Sequence, residues 1–311
     1  MKKLPDRRGF LTMGALGAAA LLGGCTSAGD APATAPNGNP GARDNLLTRG
    51  PVAPDGEFSG IPTAREIRAQ GRLVVGANLA KPLMSERNEI NGEFEGFDTT
   101  LAKLLAKYLV GSPATEVIPC SADTKEPLLE TGVVNVVIDT YSITPERAGK
   151  VSFAGPYLAA GQAIATLKTR TGITGPADLG RATVAVVSNT TSVDAVRQFI
   201  PTAAQLVLPA SQDCVLALEQ KRADAYVHDL VVLAGAAHLN DHLKVVGKPF
   251  TNEWYGIGIR HGDNAFKNAV NAWLRQIEDL GLWAEAWRQS LGTVVEGGVP
   301  APPAVGSVPG S

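Results

Sequence analysis

An α/β fold, parallel sheets with covering helices, is what this sequence predicts. Three observations lead there. Short apolar runs of strand length alternate with stretches of helical period, the hydrophobic share of 44% is that of a globular body, and 311 residues are enough for one large domain or two lobes. The formal net charge is only −2, which excludes binding to a nucleic-acid backbone, since that needs a basic surface. Three cysteines are too few for a disulfide scaffold.

The N-terminus reads as an address. Lys2, Lys3, Arg7 and Arg8 make a basic start, and Phe10 to Leu22 is an apolar stretch of about 13 residues, typical of a signal h-region and too short to span a bilayer. The stretch ends in Leu22-Gly23-Gly24-Cys25, which looks like a bacterial lipobox with Cys25 as the lipid acceptor. Arg7-Arg8-Gly9-Phe10-Leu11 also resembles a twin-arginine export signal. The alternative, a buried helix with a core cysteine, fits poorly, because Gly-Gly-Cys beside a Pro-rich tract is weak helix sequence. Two acyl chains on Cys25 suffice for stable anchoring. Residues 1–25 are therefore expected to be a lipoprotein signal peptide, and the protein to sit outside the cytoplasm, lipid-anchored to the cell membrane.

Residues 26–60 are rich in Ala, Pro, Gly and Asn without an apolar period, and are expected to be a flexible linker. Residues 293–311, with Pro300, Pro302 and Pro303, are expected to be a disordered tail. The roughly 230 residues between them hold no apolar run of 18 or more, so no further membrane span is expected there.

Inside that body, Arg72 to Gly76 reads as a buried strand. Leu101, Leu104, Leu105, Tyr108 and Leu109 follow the spacing of an amphipathic helix. Val133 to Ile138 is a second buried strand. A similar unit opens at Gly180 to Val187, followed by a helix from Thr191, a helix over 213–221, a strand from Ala223 to Val227 and a helix over 230–239. The last long helix carries Phe266, Val270, Trp273, Leu274, Ile277 and Leu280 on one face. Gly71-Arg72 and Gly180-Arg181 each launch a strand, which hints at two similar lobes.

Several segments together carry a family resemblance. NGEFEGFDTTLAKLL ending at Leu105, Ser142-Ile143-Thr144-Pro145-Glu146-Arg147, Val151 to Tyr157, Arg222-Ala223-Asp224-Ala225 with His228-Asp229, and Leu282-Trp283 with Trp287 and Leu291-Gly292 resemble the polar amino-acid-binding proteins of ABC importers. The relatives it looks most like are actinobacterial glutamate/glutamine-type binding lipoproteins. The resemblance implies a two-lobe, periplasmic-binding-protein-like fold of type II. Lobe 1 would span 61–155 and 258–292, lobe 2 would span 162–252, and hinges would fall at 156–161 and 253–257. It further implies a monomer that holds a small polar amino acid between its lobes, without a cofactor, for an ABC importer permease.

An amino-acid zwitterion needs a cation for its carboxylate and an anion for its ammonium. Arg147, at the start of a short helix, can grip a carboxylate bidentately, and Ser142 can add its hydroxyl and N–H. The alternative for Arg147 is a surface ion pair with Glu146. Thr190-Thr191-Ser192-Val193-Asp194 resembles a capping box with Thr191 as N-cap, and the free N–H groups of that helix start would face the carboxylate from the second lobe. Asp229 closes a buried strand, where clefts form in open α/β sheets. It matches the family position that binds the α-ammonium; otherwise it would be a helix N-cap. For the side-chain pocket the candidates are Asn78, Lys81 and His228. The family often has an aromatic where Lys81 stands and another near Ala122, so Lys81 points instead to an acidic side chain, unless it is merely solvated. His228 could equally be a core histidine. Thr140 stands where the family often has glycine, which narrows the cleft.

Other motifs lead nowhere. Gly256-Ile257-Gly258 with Gly262 has the wrong spacing for a dinucleotide loop and reads as a strand. His238 and His242 lack a third ligand, so no metal is expected. Cys120 and Cys214 are assigned by the resemblance to different lobes and are expected to stay unpaired. Two function classes remain: a binding lipoprotein, which could also serve as a ligand sensor for a membrane partner, and an exported lyase or dehydratase on the same scaffold using Asp229 or Glu146.

Overall fold

A computed structural model describes residues 46–295 and 297–311. The expected signal peptide, Cys25 and residues 26–45 of the expected linker lie outside the described residues.

The chain opens with α1 (Pro62–Gln70) and β1 (Leu73–Ala77), then a small sheet of β2 (Ala80–Lys81), β3 (Ser85–Arg87) and β4 (Phe94–Glu95). Next come α2 (Phe97–Val110), β5 (Thr115–Pro119), α3 (Lys125–Glu130), β6 (Val136–Val137), α4 (Pro145–Ala148) and β7 (Ser152–Ala160). A second body follows: β8 (Gln162–Leu167), β9 (Thr183–Val187), α5 (Thr191–Phe199), β10 (Ala204–Leu208), α6 (Ser211–Glu219), β11 (Ala225–Asp229), α7 (Leu230–Leu239) and β12 (Leu243–Val246). The chain then returns to the first body through β13 (Glu253–Ile259), α8 (Asn264–Asp279) and α9 (Leu282–Gln289).

Each body is a lobe built on one five-stranded sheet, ordered β5-β1-β6-β13-β7 in the first and β10-β9-β11-β8-β12 in the second. In each, the first three strands are parallel and the other two pair antiparallel. The expected parallel sheets thus hold for three strands in each lobe, and the sheets as wholes are mixed. The antiparallel strands enter because β7 and β13 must run between lobes, and β8 leaves β7 directly.

Helix periodicity decides the cores. On α2, Leu101, Leu104, Leu105, Tyr108 and Leu109 are all buried. On α8, Phe266, Val270, Trp273, Leu274 and Ile277 are buried, but Leu280 falls at the C-cap and is 52% exposed. The strand read over Val133 to Ile138 pairs only at Val136–Val137.

The two crossings run side by side, Ala160 opposite Glu253 and Ser152 opposite Ile259. Residues 156–160 and 253–257 of the expected hinges lie in this pair, and Gly161 follows it. A Cβ on Gly161 would come within 2.3 Å of the Thr251 carbonyl oxygen, so glycine is what lets the two crossings approach.

Two stretches expected to lack structure are packed. Within 26–60, Leu46, Ala53 and Phe58 are buried in the first lobe's core. Phe58 meets the Tyr108 ring edge-on at 5.7 Å, and the Ala53 N–H donates to the Tyr108 carbonyl at 3.0 Å. In the expected tail, Val305 and Val308 pack against the same lobe, and the Gly306 N–H donates to the Gly155 carbonyl at 2.7 Å. In both stretches, sparse apolar residues without a period are enough to dock the chain on existing hydrophobic surface. Proline content alone signalled the opposite.

Candidate functional site

All six parallel strands point their carboxyl ends at one interlobe cleft, the place where open α/β sheets bind ligands. Its empty volume is about 610 Å³, part of it open to solvent. Asn78, Lys81, Thr140, Ser142 and Arg147 line it from the first lobe, and Thr190, Thr191, His228 and Asp229 from the second. All nine residues singled out in the sequence therefore share one cavity.

The lobes are closed on each other. Arg147 Nη2 donates to the Asn189 carbonyl at 3.1 Å and Gln212 Nε2 to the Ala80 carbonyl at 3.3 Å. Val231 and Val232 of the second lobe belong to the apolar core of the first.

Arg147 is aimed by its surroundings. The Thr144 hydroxyl caps α4 by accepting from the Arg147 N–H at 3.2 Å, and Pro145 at the first position fixes the helix start. Arg147 Nη1 donates to the Ser142 carbonyl at 3.0 Å, and the guanidinium lies 5.2 Å over the Tyr141 ring. The two carbonyl bonds use two of five N–H donors. Glu146 pairs with Lys150 at 2.9 Å, so the alternative pairing with Arg147 does not occur.

Asp229 is buried at the end of β11 and makes no side-chain cap to α7. Its Oδ1 accepts from Gln162 Nε2 at 2.8 Å, and its Oδ2 lies 3.4 Å from His228 Nδ1. Burial pushes this carboxyl up, but His228 and further partners outweigh it and hold it below the usual carboxylate range. His228 is buried edge-on to Tyr226 at 5.8 Å, and its Nδ1 accepts from the Asp229 N–H at 2.7 Å.

Lys81 is not solvated. Its ammonium donates to Asp139 Oδ1 at 2.7 Å and to the Thr140 hydroxyl at 2.8 Å. Lys125 reaches the same carboxylate at 3.0 Å. Burial pushes Asp139 up, yet Lys125 and Lys81 together hold it low. Asp139 also takes a 3.8 Å contact from the Cys120 thiol, which burial and the Asp139 charge push up to about 12, leaving it inert. Cys214 is likewise buried and unpaired.

Thr140 is left-handed, with φ of 44°, which is why glycine suits this position. Its N–H donates to Asp98 at 2.7 Å, and the other Asp98 oxygen accepts from the Tyr157 hydroxyl at 2.9 Å. Burial, then the Asp139 charge, pushes Asp98 up to about 7 from 3.8. Between those values the native state keeps a proton that the unfolded chain has released, so stability falls as pH rises through the window and levels off above it. The full cost is about 4 kcal/mol. The melting temperature is expected to drop between pH 5 and pH 8, and Asp98→Asn to lose most of that drop. An equal slope in the variant would assign the effect to other groups.

The capping box is corrected. Thr190, not Thr191, is the N-cap, and its hydroxyl donates to the Val187 carbonyl at 2.7 Å. Asp194 pairs with Arg197 at 2.6 Å. The Thr191 hydroxyl donates to Glu253 at 2.7 Å, tying α5 to a crossing strand. The N–H groups of Thr191 and Ser192, the first two of α5, still lack intrahelical acceptors, and Thr190 and Thr191 line the cleft.

Sequence reading missed Ser121, Lys125, Ser211 and Gln212 in the lining, and Asp139 behind it. An acid closing an apolar strand, the signal that identified Asp229, was also present at Asp139. Among the described residues, no group of three or more His, Cys, Asp or Glu side chains could hold a metal, and no helix is long and apolar enough to cross a membrane.

The model of one family, the bacterial extracellular solute-binding proteins, family 3, matches residues 73–293. The ABC transporter glutamine-binding protein GlnH of Bacillus subtilis is 30% identical over 73% of this chain and 84% of its own length. The glutamate-binding protein GluB of Corynebacterium efficiens is 29% identical over 74% of this chain and 83% of its own. Among solved structures, the ancestral amino acid-binding protein AncCDT-1, described as a precursor of cyclohexadienyl dehydratase, superposes with a TM-score of 0.68. It is 36% identical, covering 73% of this chain and 99% of that one.

Proposed function

From its place in the bacterial extracellular solute-binding proteins of family 3, to which the chain belongs, we propose that it captures a polar amino acid. The ligand is glutamate, aspartate or one of their amides, and the chain delivers it to the permease of an ABC importer. The family is one of binding proteins with a two-lobe, periplasmic-binding-protein-like fold, and the lyase alternative is not carried forward. One observation carries the reading: a guanidinium, Arg147, and a carboxylate, Asp229, line the same cleft from opposite lobes. Arg147, with Ser142 and the start of α5, takes the α-carboxylate. Asp229 takes the α-ammonium. The names of the glutamine- and glutamate-binding relatives support the ligand class.

Magnitudes explain why two lobes are needed. A hydrogen bond to a charged group contributes on the order of 1.5–3 kcal/mol, and micromolar affinity needs about 8 kcal/mol. One lobe supplies only part of that after the ordering costs of binding. Ligand thus selects the closed form, which a permease can distinguish from the open one. Calorimetric titration of the purified chain with the twenty amino acids tests the reading; no heat from any of them would refute it.

Lipid anchoring through Cys25 belongs to the same proposal. Cys25→Ser is expected to move the chain from the membrane to the soluble fraction, and unchanged membrane fractionation would rule the anchor out.

A further inference from the structure

Two lysines from separate segments of the first lobe converge on one carboxylate. Lys81 and Lys125 both line the cleft and both bond Asp139 directly, at 2.7 and 3.0 Å. Their side chains are 11% and 7% exposed, and that of Asp139 is 1% exposed. Two ammonium groups sharing one carboxylate leave one positive charge in the cleft wall. The remaining partners on these lysines are the Thr140 hydroxyl, the Asp139 carbonyl and the Tyr141 ring, which bring dipoles and a quadrupole but no charge. Asp98 stands near enough to feel the Lys81 charge, but burial and the Asp139 charge push it up to about 7, and its oxygens bond the Thr140 N–H and the Tyr157 hydroxyl, not a lysine, so it offsets the charge only in part. A buried charge without a counter-charge is costly.

Elsewhere in the cleft, Arg147 and Asp229 balance each other, as the two α-groups of an amino acid do. The ligand that completes the site therefore carries one more negative charge, on its side chain. We propose that the Lys81–Asp139–Lys125 cluster reads the ligand's side chain and selects a dicarboxylic amino acid over its amide and over cationic amino acids, with Lys125 determining that choice. Asp139 holds the two ammonium groups in place and cancels one charge, so that the cluster attracts one carboxylate.

The inference rests on the amino-acid reading above, and its test separates the two. The full chain is titrated with L-glutamate, L-aspartate, L-glutamine, L-asparagine and L-arginine. An acid is expected to bind at least about tenfold tighter than its amide, and arginine weakest. Lys125→Gln leaves Lys81 and Asp139 as a neutral pair. It is expected to erase most of the acid-over-amide ratio by weakening the acid while the amide changes little; Lys81→Gln is the second variant should the first not fold. A wild-type chain that prefers the amide overturns the side-chain assignment and leaves the reading above standing, as does a variant that weakens acid and amide equally; a chain that prefers arginine overturns the ligand class of that reading as well and leaves only amino-acid capture. A chain that binds none of the five overturns both.

Discussion

Arg147→Ala is expected to weaken amino-acid binding about a hundredfold, with the melting temperature close to wild type. Removing one partner of a buried, hydrogen-bonded charge pair costs about 2–5 kcal/mol. Arg147 is only half-buried, so the lower part of that range applies. The fold should tolerate the change, because the side chain stands on a four-residue helix outside both cores, and its bonds are to the Ser142 and Asn189 carbonyls. Arg147→Lys sharpens the test. Lysine keeps the charge but loses the planar fork, so it cannot hold those two carbonyls and still grip a carboxylate with two parallel bonds. Partial recovery by lysine is therefore expected. Titration of both variants beside their melting curves decides it, and wild-type affinity in Arg147→Ala would remove the clamp from the site.

The central elements were legible because burial leaves a plain mark on sequence. β1 and β9 are flanked on both faces, so each reads as a nearly continuous apolar run, and β11 does so over Ala225–Val227 before its His228-Asp229 end. α2 and α8 each bury one face, so each shows a helical period. The edge strands left no such mark. In β5 every residue is partly or fully exposed, and in β10 exposed and half-buried residues mix. Those two strands end at Pro119 and Leu208, a few residues before Ser121 and Ser211–Gln212, which is why the cleft residues beyond them went unread.

The site divides along a similar line. Arg147, Ser142 and Asp229 sit at positions where local sequence already places them, after a buried strand and at a helix start. The partnership of Lys81 and Lys125 with Asp139 joins residues 58 and 14 positions apart. No spacing rule reaches that far, because the pairing exists only once β2, the start of α3 and the end of β6 are assembled. The capping box failed for a different reason. Two threonines stood side by side, and the choice of N-cap passed to tertiary contacts: Thr190 bonds the end of β9, and Thr191 is drawn to Glu253.

Gly235→Ala is expected to raise the ligand dissociation constant at least about tenfold, an energy of about 1.4 kcal/mol, without loss of fold stability. Gly235 lies in the middle of α7, where alanine is the better helix former by about 1 kcal/mol, so the second lobe alone should gain from the exchange. In the closed form, however, an added Cβ would stand 2.5 Å from the Pro82 carbonyl oxygen of the first lobe. That contact exists only when the lobes meet. The added methyl therefore taxes closure and nothing else, and apparent affinity falls with the population that can close. Pro82 follows Lys81 directly, so the approach of α7 also covers the end of the cleft that Lys81 lines. Titration should report weaker binding with the ligand ranking unchanged, and small-angle scattering of the saturated variant should report a larger radius than saturated wild type. A variant that binds as tightly as wild type with an unchanged radius would mean that closure does not run through the Gly235–Pro82 contact.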